Sequence, residues 1–169
     1  MIVIGIGGKA HSGKDTAADF LVEKYGFVKV AFADALKEMI HKEYHIPKDQ
    51  LWCDVKTPYV RKLLQDTGER ARQQNPGHWV DLLWEKITKG NYGRVVIPDV
   101  RHVQERKFVE YDMRGVSIEI IRTEGRPIEH NPDHISEQKM RDWDYIIHND
   151  GSKEELFQKI ENMLKTEEV

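Results

Sequence analysis

The chain has 169 residues and a mass of 19.8 kDa, enough for one domain with a substantial core and too little for a second of ordinary size. Lys and Arg number 26 against 29 Asp and Glu, a net charge of -3, so no basic excess suits a long polyanion and nucleic acid is not an expected partner. The single cysteine, Cys53, excludes an internal disulfide framework, and a mean hydropathy of -0.65 accompanies no apolar run of bilayer length; the expectation is a cytoplasmic protein with no membrane partner and no targeting segment.

Residues 2 to 6, "IVIGI", form a short β-branched run that ends in glycines. Ala17, Ala18, Leu21 and Val22 then repeat at helical spacing up to Gly26. "FVKVAF" at 27 to 32 predicts a second strand, and Leu36, Met39, Ile40 and Tyr44 the apolar face of a second helix. From Pro58 to Ile87 the pattern is helical in two pieces broken at "NPGH", residues 75 to 78. "RVVIPDV" at 94 to 100 predicts a strand, "HVQERKFVEYDM" a helix, "VSIEII" at 116 to 121 a strand and "DYIIHN" at 144 to 149 another. The last helix carries Leu156, Ile160, Met163 and Leu164 on one face, with Ser152 as its N-cap and Glu155 three residues on. This alternation favours a parallel sheet covered on both faces.

Between the first strand and helix stands "GKAHSGKDT", residues 8 to 16. Gly8, Gly13 and Lys14 match the phosphate-binding pattern GxxxxGK[ST], but Asp15 occupies the hydroxyl position and Thr16 follows one place late. Such a loop converges backbone N–H groups on phosphate oxygens at a helix N-terminus, and Lys14 reaches the outer phosphates. Asp15 is either a metal-holding carboxylate or an acidic first-turn residue favoured by the helix dipole. The bland alternative for the whole stretch is a glycine turn capped by Ser12 or Asp15.

Acceptor groups in a parallel α/β sheet come from the carboxyl ends of neighbouring strands, here "FADALK", "PDVRHVQE" and "RTEGR". Asp99 and Arg101 fall at such an edge. Arg61 and Gln65 lie one helical turn apart, and Trp79 and Trp84 have the spacing of core residues. His130 and His134 have an i,i+4 spacing that Pro132 interrupts, so they are read as solvent-facing and not as metal ligands. Cys53 has no recognisable paired base, and no covalent intermediate is expected.

Together "GKAHSGKDTAADFL", "FADALKEM", "IPDVRHVQE" and "DYIIHNDGSKEEL" resemble a deoxynucleoside monophosphate kinase of the bacteriophage type, within the P-loop nucleoside monophosphate kinase superfamily; the GK-x-T spacing is similar to that of adenylate kinases. The resemblance implies an α/β, three-layer P-loop kinase fold with a five-stranded parallel sheet. It also implies one kinase domain over residues 1–169, with a helical acceptor-binding insertion over about 34–90 and a short lid over about 122–142.

The implied reaction is Mg²⁺-dependent transfer of the ATP γ-phosphoryl group to a (deoxy)nucleoside monophosphate. ATP would be held by Gly8, His11, Ser12, Gly13, Lys14, Asp15 and Thr16, and by backbone near Asn149 and Gly151. Mg²⁺ would be held by Asp15 and by Asp99 as a Walker-B-like carboxylate. The acceptor would meet Asp34, Lys37, Arg61, Gln65, Arg72 and Arg101, with Asp34 alternatively a helix N-cap. Lys14, Arg101 and the lid residues Arg122 and Arg126, with Arg141 as a further candidate, would neutralise the transferring charge. Rival readings are a phosphomevalonate or dephospho-coenzyme A kinase, or a non-catalytic ATP-binding regulator; the chain would act as a monomer or homodimer.

Overall fold

A computed structural model describes residues 1–53, 55–123 and 142–168. In chain order the elements are β1 (Ile2–Gly7), α1 (Lys14–Tyr25), β2 (Val28–Lys29), α2 (Phe32–Tyr44), α3 (Lys48–Trp52), α4 (Pro58–Gln74), α5 (His78–Gly90), β3 (Arg94–Val100), α6 (Val103–Lys107), a π-helical turn (Phe108–Asp112), β4 (Val116–Ile121), β5 (Tyr145–His148) and α7 (Lys153–Thr166). They fall into two compact units, Met1–Val30 with Tyr92–Val169, and Ala31–Asn91. No described helix is long and apolar enough to cross a membrane.

The first unit holds a five-stranded sheet of order β2-β3-β1-β4-β5, parallel at every pairing. Its central strands are near-continuous aliphatic runs because both faces are covered. Ile4, Ile6, Val96, Ile118 and Ile120 pack with Ala17, Ala18 and Leu21 of α1 and with Leu156, Ile160, Met163 and Leu164 of α7. Gly26 closes α1 in the left-handed conformation at φ 68, its N–H bonded to the Val22 carbonyl. Ser152 caps α7, its Oγ accepting from the Glu155 N–H at 3.2 Å.

Three elements depart from the sequence pattern. The strand expected over 27 to 32 shrinks to two residues, because the Asp34 carboxylate accepts the Ala31 N–H at 3.3 Å and starts α2 already at Phe32. The helix expected over 102 to 113 is split: α6 ends at Lys107 and a π turn follows, with the Met113 N–H reaching the Phe108 carbonyl at 2.9 Å. The short helix α3 had no apolar period long enough to announce it.

The second unit is wholly helical. The break expected at 75 to 78 separates α4 from α5, and α4 opens on Thr57, whose hydroxyl accepts from the Val60 N–H, with Pro58 at the first helical position. Trp79 is buried, as its spacing predicts, and donates its indole N–H to the Gly68 carbonyl at 3.1 Å. Trp84, read from the same spacing, is 46% exposed: it lies outside the stripe formed by Trp79, Leu83 and Ile87, the buried face of α5.

Candidate active site: a phosphate loop among strand ends

The loop between β1 and α1 has backbone geometry that side chains would spoil. Gly8 has φ +132, and a Cβ there would lie 2.2 Å from the Ile120 carbonyl oxygen; Gly13 has φ +105, and a Cβ there would lie 2.4 Å from Asn149 Nδ2. Both glycines are therefore required by conformation and by space. His11 between them is also left-handed, at φ 60. The loop feeds directly into α1, whose N-cap is Gly13 with no side-chain cap. The alternative of a turn capped by Ser12 or Asp15 is thus not what the chain builds, and the loop turns its backbone into the N-terminus of α1, the end of a helix that favours anions.

Lys14 is buried and its Nζ donates to the Lys9 carbonyl at 2.6 Å, so the ammonium lies back across the loop. Ser12 is only 2% exposed, and its Oγ has no hydrogen-bond partner among the described residues; a buried hydroxyl of this kind calls for a ligand or water. Asp15 points to solvent, 3.9 Å from Lys29 Nζ. Thr16 is half-buried one position further on.

Strand register decides what surrounds the loop. Gly7 stands opposite Val100 of β3 and opposite Glu119 of β4, so Asp99, Arg101 and Arg122 emerge at the carboxyl edge where the loop begins. Asp99 is half-buried, and Arg101 and Arg122 are exposed. The Arg101 and His102 N–H groups both donate to Glu105 Oε2, at 2.7 and 3.0 Å. This anchor on the backbone beside Arg101 was not anticipated, although Glu105 standing three residues after His102 is the spacing of a capping box. On the other flank, the Asn149 N–H donates to the Ile121 carbonyl at 2.7 Å and its Nδ2 to the Ser12 carbonyl at 2.8 Å. Asp150 accepts from the Thr123 N–H at 2.6 Å and from Thr123 Oγ1 at 3.0 Å. Gly151 follows on the surface.

A buried polar network underlies this edge and was equally absent from the sequence reading. Arg106 Nη1 donates to both carboxylate oxygens of Glu110, at 2.6 and 2.8 Å, and to the Asp142 carbonyl at 2.5 Å. Ser117 Oγ also meets Glu110, while the Ser117 N–H donates to Asp144 Oδ2 at 2.8 Å. Residues 142 to 144 are thereby tied to β4 and the π turn, which seats Trp143 against Gly7. An Arg and a Glu four apart signal a helical ion pair, but nothing in the pattern reveals that it is buried. Arg126, Arg141, His130 and His134 lie outside the described residues.

In the helical unit, Asp34 accepts from Lys86 Nζ at 2.8 Å as well as from the Ala31 N–H; it occupies the third helical position, and the N-cap is Ala31. Lys37 Nζ stands 5.4 Å from the centre of the Trp52 ring and Lys48 Nζ 5.5 Å from it, both within cation–π range. Arg61, Gln65 and Arg72 are half-buried along one face of α4. Among the described residues no three His, Cys, Asp or Glu side chains gather as a metal site.

A parallel sheet of this order with a GxxxxGK loop after its first strand has the fold of a P-loop kinase. TT1252 from Thermus thermophilus aligns over 98% of this chain and 97% of its own, with a TM-score of 0.54 and 17% identity. A sugar kinase from Janibacter sp. HTCC2649 aligns over 98% and 95%, with a TM-score of 0.52 and 12% identity. The sequence model of the deoxynucleotide monophosphate kinase family matches residues 51–160, and the chain belongs to that family. It is similar to a putative deoxynucleotide monophosphate kinase of Acanthamoeba polyphaga mimivirus, at 28% identity over 95% of this chain and 94% of that protein. It is 35% identical to the deoxynucleotide monophosphate kinase of Enterobacteria phage T4 over 63% of this chain, a match spanning 45% of the phage protein.

Proposed function

We propose that the chain transfers the γ-phosphoryl group of ATP to the phosphate of a (deoxy)nucleoside monophosphate, giving ADP and the nucleoside diphosphate. The observation that carries this reading is the glycine loop at the N-terminus of α1, with Lys14 folded over it and Asp99 and Arg101 at the adjoining strand edge. Family membership supplies the class of acceptor.

Transfer through a loose transition state depends on positioning and charge neutralisation more than on a nucleophilic side chain. In this reading the loop residues Gly8, His11, Ser12, Gly13, Lys14, Asp15 and Thr16 bind the ATP phosphates. Lys14 exchanges the Lys9 carbonyl for the outer phosphate oxygens, and the orphaned Ser12 hydroxyl gains a partner. Backbone near Asn149 and Gly151 borders the adenine. Lys37, Arg61, Gln65 and Arg72 serve the acceptor from the helical unit, with Asp34 positioned by Lys86. Arg101 holds the acceptor phosphate, and Arg122 and Arg126 neutralise the phosphoryl group in flight. The acceptor is already an anionic oxygen, so no strong general base is required.

The donors present fit Mg²⁺, a hard ion that takes one or two carboxylates together with phosphate oxygens and waters. Asp99, half-buried beside the loop, and Asp15, exposed at the helix start, are oxygen ligands of that kind. Held by these carboxylates, the ion would supply charge neutralisation to the ATP phosphates.

The test is ADP release from Mg·ATP across a panel of ribo- and deoxyribonucleoside monophosphates, with phosphomevalonate and dephospho-coenzyme A included. Turnover with one or more deoxynucleotides is the expected result. Turnover with either of the other two acceptors alone assigns a different substrate, and ATP binding with no turnover on any acceptor points to a regulator.

A further inference from the structure

Asn149 is 7% exposed and its side chain lies against the phosphate loop, not in open solvent. Its own backbone is fastened by the bond from its N–H to the Ile121 carbonyl, and the next residue is fastened through Asp150 to Thr123. From this fixed position Nδ2 donates to the Ser12 carbonyl at 2.8 Å across a separation of 137 residues. The loop is shaped to receive it, since any side chain at Gly13 would occupy the space of the amide.

In a trans peptide the carbonyl and the following N–H point in opposite directions. Holding the Ser12 carbonyl toward Asn149 therefore turns the Gly13 N–H toward the opposite side of the loop. We infer that Asn149 is a positioning residue: its side-chain amide locks the Ser12–Gly13 peptide so that the Gly13 N–H is preset as a donor to a nucleotide phosphate oxygen. This goes beyond an adenine border near residue 149, because it assigns the side chain to the phosphates through the loop. It rests on the reading of the loop as an ATP site. The same two-residue joint also fixes Thr123 beside Arg122, so the donor loop and the end of β4 share one support.

The experiment compares the parent chain with Asn149→Ala and Asn149→Asp, measuring ATP affinity by titration calorimetry and then KM for ATP and for the acceptor separately. Asp matches Asn in shape but places carboxylate oxygen against carbonyl oxygen, whereas Ala leaves room for a bridging water. Loss of the bond is expected to weaken ATP binding by about tenfold in Ala, and by more in Asp, while the acceptor KM stays within about twofold. A support that acts only by packing gives the reverse order, with Asp near the parent and Ala weakened; that order overturns the inference, as does unchanged ATP affinity in both variants. Should Asn149→Asp fail to fold, Asn149→Leu, of similar size without a donor, replaces it, and parent-like affinity there is equally fatal. A parent that binds ATP but phosphorylates no acceptor sinks the proposed reaction and leaves the binding comparison to judge Asn149. A parent that does not bind ATP overturns both.

Discussion

The sheet unit and the helical unit arrange their polar groups in opposite ways. Around the phosphate loop the groups are backbone amides, and the side chains beneath them are buried: Ile4, Ile6, Ala17, Ala18 and Leu21 are almost wholly out of solvent, and Gly8 and Gly13 admit no side chain. Along α2 and α4 the charged residues are half-buried or exposed, and their partners are lysine–carboxylate pairs such as Asp34 with Lys86 and the i,i+4 pair Lys62 with Asp66. Burial makes the first arrangement stiff and intolerant of substitution. The second rests on exposed contacts, each weak by itself, so its residues are replaceable one by one at modest cost.

The largest effect that this contrast predicts is at the loop. Lys14→Ala is expected to lower kcat by at least about 10²-fold while circular dichroism reports an intact fold, since in the proposed reaction the ammonium meets the phosphates and here it bonds the Lys9 carbonyl of the loop. Activity within a few-fold of the parent would break the contrast at its strongest point.

A middle-sized effect belongs to the helical unit. Lys37→Ala is expected to raise the KM for the monophosphate by about tenfold, in keeping with the loss of one charge-assisted hydrogen bond, with KM for ATP unchanged. Steady-state kinetics with each substrate varied in turn sharpens the division: equal changes in both KM values would mean that donor and acceptor binding are not carried by separate sets of residues.

The smallest effect is electrostatic and lies on the surface. The hydrogen bond from Lys24 lowers the Glu161 carboxyl from its ordinary value near 4.5, and the same bond raises Lys24 above 10.5. A lowered carboxyl stabilises the fold above its unfolded value, and that contribution fades as the pH falls through the folded one; a raised lysine stabilises below its unfolded value and loses this as the pH climbs through the folded one. Glu161→Gln is therefore expected to flatten slightly the pH dependence of the melting temperature at both the acid and the alkaline edge, with little change near neutrality beyond the loss of one exposed pair. A marked drop in melting temperature at neutral pH would show that the surface pair matters far more than its exposure implies.

Local pattern made much of the molecule legible. The strand at 94 to 100 and the strand at 116 to 121 coincide with their β-branched runs, because a fully buried strand leaves a continuous apolar signature. The loop was legible because its glycines must stand at fixed offsets from one helix start, and Ser152 because a cap acts only three residues away. Trp84 misled because five residues turn an α-helix by about 140°, which carries it off the face that Trp79 shares with Leu83 and Ile87. The short second strand misled because an apolar run does not reveal where the Asp34 carboxylate will begin a helix.

What the sequence determined by itself is what short-range chemistry specifies: the alternation of strands and helices, the phosphate loop with its displaced hydroxyl, and the residues ending each strand. Tertiary structure decided which distant groups meet. The Asn149 amide on the Ser12 carbonyl, Asp150 on Thr123, and Arg106 with Glu110, Ser117 and Asp144 join segments up to 137 residues apart. Their partners are set by sheet order and register, because β1 lies between β3 and β4 and only that arrangement brings the ends of three strands around one loop.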